Sequence, residues 1–265
     1  MIGAIIGDIV GSRFEWNNLK SKDFELFHDD CFFTDDSVMT VAVAWAIMQC
    51  DGNMDKLSSH AVRCMRSLGQ RHPFSGYGGR FMDWLFSNVP RPYYSFGNGA
   101  AMRVSPCGFA ANSLDEAIQL SGHVTEVTHN HPQGILGAEA TTVAIYMART
   151  GSSIHEIKKH ICENYYTIDF TLDEIRDGYC FDESCMGTVP QALEAFFEST
   201  GFEDAIRNAI SIGGDSDTVA AITGGVAEAY YGIPDGFAMS ALSHLDDDLI
   251  HITDAFVKRY PRIRK

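Results

Sequence analysis

Thr34-Asp35-Asp36-Ser37 stands directly before an apolar run that opens at Val38, and Asp215-Ser216-Asp217-Thr218 directly before a second run that ends at Tyr231. Asp, Ser and Thr are the preferred residues at a helix N-terminus, where their oxygens accept orphan backbone amides and their charge complements the helix dipole. Each tetrad alone is explained as a helix cap. Together they offer carboxylates beside hydroxyls and no soft ligand, a donor set that suits magnesium, manganese or calcium. Two carboxylates ~4 Å apart repel by about 4 kcal/mol at an effective dielectric of 20, so four converging aspartates demand counter-charge. Two divalent cations match four negative charges.

Glycines accompany this chemistry. Gly213-Gly214 permits a tight entry into the second helix and frees Asp215 and Asp217 to face a shared ion. Gly97-Asn98-Gly99-Ala100-Ala101-Met102-Arg103 is another glycine-bracketed helix start, whose exposed amides could hold a phosphate or ribose oxygen.

With Gly7-Asp8-x-x-Gly11-Ser12 near the start and Thr128-His129-x-His131-Pro132 in mid-chain, these motifs fall in one order along the sequence. In that order the chain resembles the ADP-ribosylglycohydrolase family. The resemblance spans roughly residues 1 to 235, is faint from 150 to 187, and meets a chain that is compact beside many members of the family. It implies an all-helical domain with two magnesium or manganese ions at helix N-termini, held by Thr34, Asp35, Asp36, Asp215, Asp217 and Thr218. It also implies hydrolysis of the bond between ADP-ribose and an acceptor, either a protein side chain or a small molecule. Glu15 matches a glutamate that lies beside the metals in some branches, so Glu15 and Asp36 are the carboxylates expected to direct water. Asn98, Gly99, Arg103, His129 and Tyr77 are the expected substrate contacts. Arg103 or Arg80 would lend positive potential to a pyrophosphate, and Tyr77 or Phe74 a ring for adenine. Asn98 and Gly99 are placed at phosphate or ribose, away from the ions. Two rival readings stand beside this one: a two-metal phosphohydrolase, and a silent relative that binds without catalysis.

The elements that must position these residues are helical. Ile2, Ile5, Ile6, Ile9 and Val10 repeat at the spacing of one buried helical face, and Gly3, Gly7 and Gly11 form a stripe that lets another backbone approach closely. This helix is expected at the centre of the fold. Further helices are expected near 38 to 50, 54 to 69, 79 to 87, 99 to 111, 114 to 127, 132 to 149, 154 to 164, 190 to 199, 202 to 210, 217 to 231 and 246 to 259. Ser113-x-x-Glu116 and Ser153-x-x-Glu156 read as capping boxes, and Pro132 and Pro190 as first-turn prolines. No run alternates with period two, so the class is all-α: one orthogonal multi-helix domain over residues 1 to 265. Residues 165 to 189 are the least periodic and are left as a lid or a surface loop.

Composition excludes several classes. In 265 residues, 45% are hydrophobic and 21% charged, ordinary globular values. The longest apolar stretch, Val41 to Met48, is far short of the roughly 20 residues a bilayer requires, and the N-terminus lacks the basic region of a signal peptide. Seven cysteines without a C-x-x-C pair read as reduced thiols, which with the missing signal peptide predicts a cytoplasmic protein. A net charge of -15 repels polyanions, so nonspecific nucleic-acid binding is not expected, and the basic end from Lys258 to Lys265 does not reverse that.

Overall fold

The computed structural model describes residues 1 to 262; the last three residues of the basic end and of the expected domain lie outside the described residues. Among the described residues the regular structure is helical, with one isolated bridge between Gly97 and Ser184. In chain order the helices are α1 (Ile2–Gly11), α2 (Asp35–Cys50), α3 (Leu57–Arg71), α4 (Gly79–Phe86), α5 (Gly99–Met102), α6 (Ser105–Ala110), α7 (Leu114–Thr125) and α8 (Pro132–Thr150). They continue with α9 (Ile154–Asn164), α10 (Leu172–Ile175), α11 (Cys185–Phe197), α12 (Phe202–Ser211), α13 (Ser216–Tyr231), α14 (Phe237–Leu242) and α15 (Asp247–Arg259). None is long and apolar enough to cross a membrane.

The first helix is central, as its pattern predicts. Isoleucines 5, 6 and 9 are fully buried, and the glycine stripe lies against the backbone of α13. A Cβ on Gly3 would overlap the Gly224 carbonyl, one on Gly7 the Ala220 carbonyl, and one on Gly11 the backbone of Asp217. Gly224 returns the contact, since a Cβ there would overlap the Gly3 carbonyl. This approach carries the end of α1 to the start of α13, where the second acidic tetrad lies. One apolar core continues from α1 through α2, α8, α11 and α13 to Phe256 on α15.

Three expectations are corrected. The helix expected over 99 to 111 is two, α5 and α6, broken at Arg103 and Val104. Pro106 has no N–H for the Met102 carbonyl, which accepts instead from the Thr40 hydroxyl at 3.3 Å. Pro190 is interior to α11 rather than in its first turn, because Ser184 caps that helix earlier by accepting from the Gly187 amide at 3.1 Å. Ser113 accepts from the Glu116 amide, but the Glu116 carboxylate reaches the Asn112 amide, so that capping box is half-formed; the one at Ser153 is complete. Residues 165 to 189 hold the short α10 and the start of α11.

Candidate metal centre and cavity

The two tetrads behave differently as caps. Thr34 is the N-cap of α2 and its Oγ1 accepts from the Asp36 amide at 3.3 Å. Asp215 is the N-cap of α13 by position, yet its side chain caps nothing. Instead Asp215 Oδ2 accepts from the Asn98 side-chain amide at 2.6 Å. The turn before it depends on Gly213 and Gly214, both at positive φ, and Asn18 clasps Gly214 by donating to its carbonyl and accepting from its amide. Capping therefore accounts for Thr34 and leaves Asp215 free for other work.

Asp8 joins the two tetrads. It projects from α1, fully buried, and accepts from the amides of Thr34 and Ser37 at 3.0 Å each and from Thr34 Oγ1 at 2.7 Å. An acid from one helix thus seals the N-terminus of another. The sequence places Asp8 in a motif but gives it no role; its one local signal is a carboxylate inside an otherwise apolar helix.

Carboxylate oxygens of Asp8, Asp36 and Asp217 lie within 4.8 Å of one another, as do those of Glu15, Asp215 and Asp217. The two triplets share Asp217. Asp35 faces the same cavity, and Thr218 Oγ1 donates to Asp36 Oδ2 at 3.2 Å. The other oxygen, Asp36 Oδ1, is buried without a hydrogen-bond partner among the described residues. No Lys or Arg forms an ion pair with Asp8, Glu15, Asp35, Asp36, Asp215 or Asp217 among the described residues.

The charges respond accordingly. Burial first, then the neighbouring carboxylates, hold Asp35, Asp36 and Asp217 well above the usual carboxylate range. Burial also raises Asp8 and Asp215, opposed for Asp8 by the Ser37 and Thr34 bonds and for Asp215 by Asp217 and Asn98. Glu15, half-buried, is pushed up to about 7 by burial, then by Asp215 and Asp8. Such a site requires either protons or cations. Hard oxygen donors, an orphan buried oxygen and mutually repelling carboxylates fit a divalent cation.

Glu15, Asp35, Asp36, Asp215, Asp217 and Thr218 floor a cavity of about 400 Å³. Asn98, Gly99, Arg103 and His129 line it, together with Gly76, Gly78, Gly79 and Arg80. Tyr77 does not: it is buried behind the glycine wall, stacked on Phe81, while Phe74 is 98% exposed. Asn98 lies beside the acidic cluster rather than away from it, through its bond to Asp215, and this corrects its expected position.

Arg103 is buried, with Nη2 donating to Thr128 Oγ1 at 2.6 Å and contacting His129 Nδ1 at 3.4 Å. Arginine only donates, so His129 Nδ1 accepts and its Nε2 carries the proton. Burial and the charges of Arg103 and Arg80 keep this imidazole neutral, well below its ordinary range. Gly97 and Gly99 leave space in front of Nε2, which a Cβ on Gly99 would approach to 3.4 Å. Sequence reasoning did not single out Trp16, Phe181 and Glu183, which also line the cavity.

A family model described as ADP-ribosylglycohydrolase matches residues 1–264. The chain belongs to the ADP-ribosylglycohydrolase family. Among curated members, it is 21% identical to ADP-ribosylhydrolase ARH3 of Homo sapiens, over 94% of this chain and 90% of that one. It is 25% identical to ADP-ribosylarginine hydrolase Tri1 of Pseudomonas putida, over 88% and 70% respectively. A solved structure titled ADP-ribosylglycohydrolase-related protein complex superposes with a TM-score of 0.69 at 22% identity, covering 97% of this chain and 96% of that one. The all-α fold is that of the family.

Proposed function

We propose that this protein is an ADP-ribosyl hydrolase, dependent on two magnesium or manganese ions, that cleaves the glycosidic bond between ADP-ribose and an acceptor on a protein or small molecule. The observation that carries this reading is the acidic cluster, with its orphan Asp36 oxygen, in a cavity that glycines and arginines also line. The names of the matched relatives support the same chemistry.

Thr34, Asp35, Asp36, Asp215, Asp217 and Thr218 would hold the ions, and Asp8 and Glu15 are within reach of the same positions. When bound, divalent cations neutralise the carboxylates and polarise ribose oxygens and water. Asn98 fixes Asp215, and the Asp8 bonds hold Thr34 and the first turn of α2 in place. Glu15 orients a water and takes its proton, Asp36 supporting it from the floor. The water oxygen bonds to the anomeric carbon, the bond to the acceptor breaks, and the acceptor leaves with a proton. His129 donates from Nε2 to a substrate oxygen, and Arg80 and Arg103 supply positive potential for the pyrophosphate.

The whole chain acts as one such domain, a reading supported by its continuous core. A cytoplasmic setting without membrane or nucleic-acid partners completes the proposal, supported by seven free cysteines and the acidic net charge.

The test is mass spectrometry of products after incubation with Mg²⁺ and a panel of differently linked ADP-ribose substrates. Free ADP-ribose is expected. Release of AMP or phosphate would point to the phosphohydrolase, and intact substrate throughout to the silent relative.

A further inference from the structure

The two carboxylate triplets are anchored unequally. Asp8, Asp36 and Asp217 belong to helices α1, α2 and α13. Glu15 and Asp215 stand outside the helical ladders: Glu15 follows the short 3-10 turn Ser12–Phe14, and Asp215 precedes α13. Their like charges push them apart. A contact outside the helices must hold them within reach of one cation.

Asn18 supplies that contact. Its Nδ2 donates to the Glu15 carbonyl at 3.0 Å, to the Gly214 carbonyl at 2.9 Å and to the Phe14 carbonyl at 2.7 Å. The Gly214 carbonyl belongs to the peptide that enters Asp215, so one side-chain amide joins the backbones of both acids. Asn18 Oδ1 accepts from the Gly214 amide at 2.8 Å, which fixes which way the side chain points. Two residues on, Lys20 Nζ donates to the Ile212 carbonyl at the head of the same turn and to the Tyr179 carbonyl at 2.7 Å. The Tyr179 ring lies against Gly214, where an added Cβ would come within 2.3 Å of it.

Gly213 and Gly214 carry no side chains with which to brace their own turn, and both are at positive φ. Asn18 and Lys20 are exposed, so core packing does not explain them. Resting on the metal-dependent reading above, we propose that Asn18 and Lys20 are positioning residues that set the Glu15–Asp215 separation. They thereby form the cation position beside Glu15, Asp215 and Asp217, acting through the turn and touching neither ion nor substrate. The position beside Asp8, Asp36 and Asp217 is held by helices and does not depend on them.

The test titrates Mn²⁺ into metal-stripped protein and follows free ion by electron paramagnetic resonance. Two binding steps are expected in the wild type. Asn18→Ala should weaken one step at least ~5-fold, about 1 kcal/mol, and leave the other within ~2-fold. That loss should shrink in a Glu15→Gln background, because the group being positioned has lost its charge. Lys20→Met should also weaken one step, whereas loss of a positive charge acting by Coulomb attraction alone would tighten binding. Thermal scans check that each variant is folded, and Lys20→Met decides alone if Asn18→Ala is not. Equal weakening of both steps, an unchanged Asn18→Ala, a loss undiminished by Glu15→Gln, or tighter binding in Lys20→Met overturns the positioning role and leaves the hydrolase reading intact. A single step in the wild type, with ADP-ribose still released from a linked substrate, does the same. One step selectively weakened, in a protein that releases no ADP-ribose, overturns the hydrolase reading and leaves the positioning role. No Mn²⁺ binding at all overturns both.

Discussion

Asn98 donates its side-chain amide to Asp215 Oδ2 at 2.6 Å and to Thr188 Oγ1 at 3.1 Å, tying the entrance of α5 to the entrance of α13 and to α11. A residue on the cavity wall is therefore also a support for the acidic floor. Asn98→Ala leaves a buried carboxylate oxygen without its donor, a loss of about 1 to 3 kcal/mol. Both ADP-ribose affinity and the magnesium-induced rise in melting temperature should fall. Calorimetric titration and thermal scans check this, and an unchanged metal response would detach Asn98 from the metal site.

Asp217 belongs to both carboxylate triplets, so Asp217→Asn should remove most of the metal-induced thermal shift. A ligand at 100 times its Kd stabilises by about 2.7 kcal/mol, enough to move the transition by several degrees in the wild type. Scanning calorimetry of metal-stripped protein, with and without millimolar Mg²⁺ or Mn²⁺, reads the difference. A wild-type transition indifferent to both cations would count against a metal centre.

Without metal, stability should fall as pH rises. The folded state holds protons on Asp35, Asp36 and Asp217 that the unfolded chain has released in the ordinary carboxylate range, and on Glu15 up to about 7. Between those limits the folded state binds more protons, so the free energy of unfolding declines with pH. Melting temperatures of stripped protein from about pH 5 to about pH 8 should slope downward, and magnesium should flatten the slope. A rising slope would mean that the cluster is not strained by its own charge.

Gly11→Ala should disturb the site from a distance. Its methyl group would overlap the Asp217 backbone, so α1 and the start of α13 must separate, at a cost of about 1 to 3 kcal/mol or more. Reduced metal response and lowered thermal stability are expected together. Gly178→Ala, where an added Cβ meets nothing within 4 Å, serves as the matched control and should change neither.

Glu15→Gln keeps the shape of the side chain and removes its charge. Turnover should drop at least ~10-fold at neutral pH while ADP-ribose affinity stays within about 1 kcal/mol of wild type. Single-turnover rates beside equilibrium titrations separate the two, and a variant as fast as wild type would transfer the water-directing role to Asp36.

The helices and the acidic tetrads were legible because their information is local. Isoleucine spacing sets the buried face of α1, Ser153 and Glu156 cap α9 within a single turn, and Gly213-Gly214 specifies the backbone that turns into α13. Local pattern also misled: nothing near Pro190 reveals that Ser184 starts its helix, and Tyr77 in its glycine loop looks as able to face a ligand as to pack on Phe81. Other relationships have no local signature at all. Asp8 is one acid in an apolar helix until α2 presents its amides, Asn98 is one polar side chain until Asp215 arrives, and Trp16 is an exposed indole until Phe181 lies on it. Side-chain type and spacing determine the dihedrals and faces of each segment. Which carboxylates converge is decided by how closely two helices can approach, and that distance exists only once Gly3, Gly7 and Gly11 have met the backbone of α13.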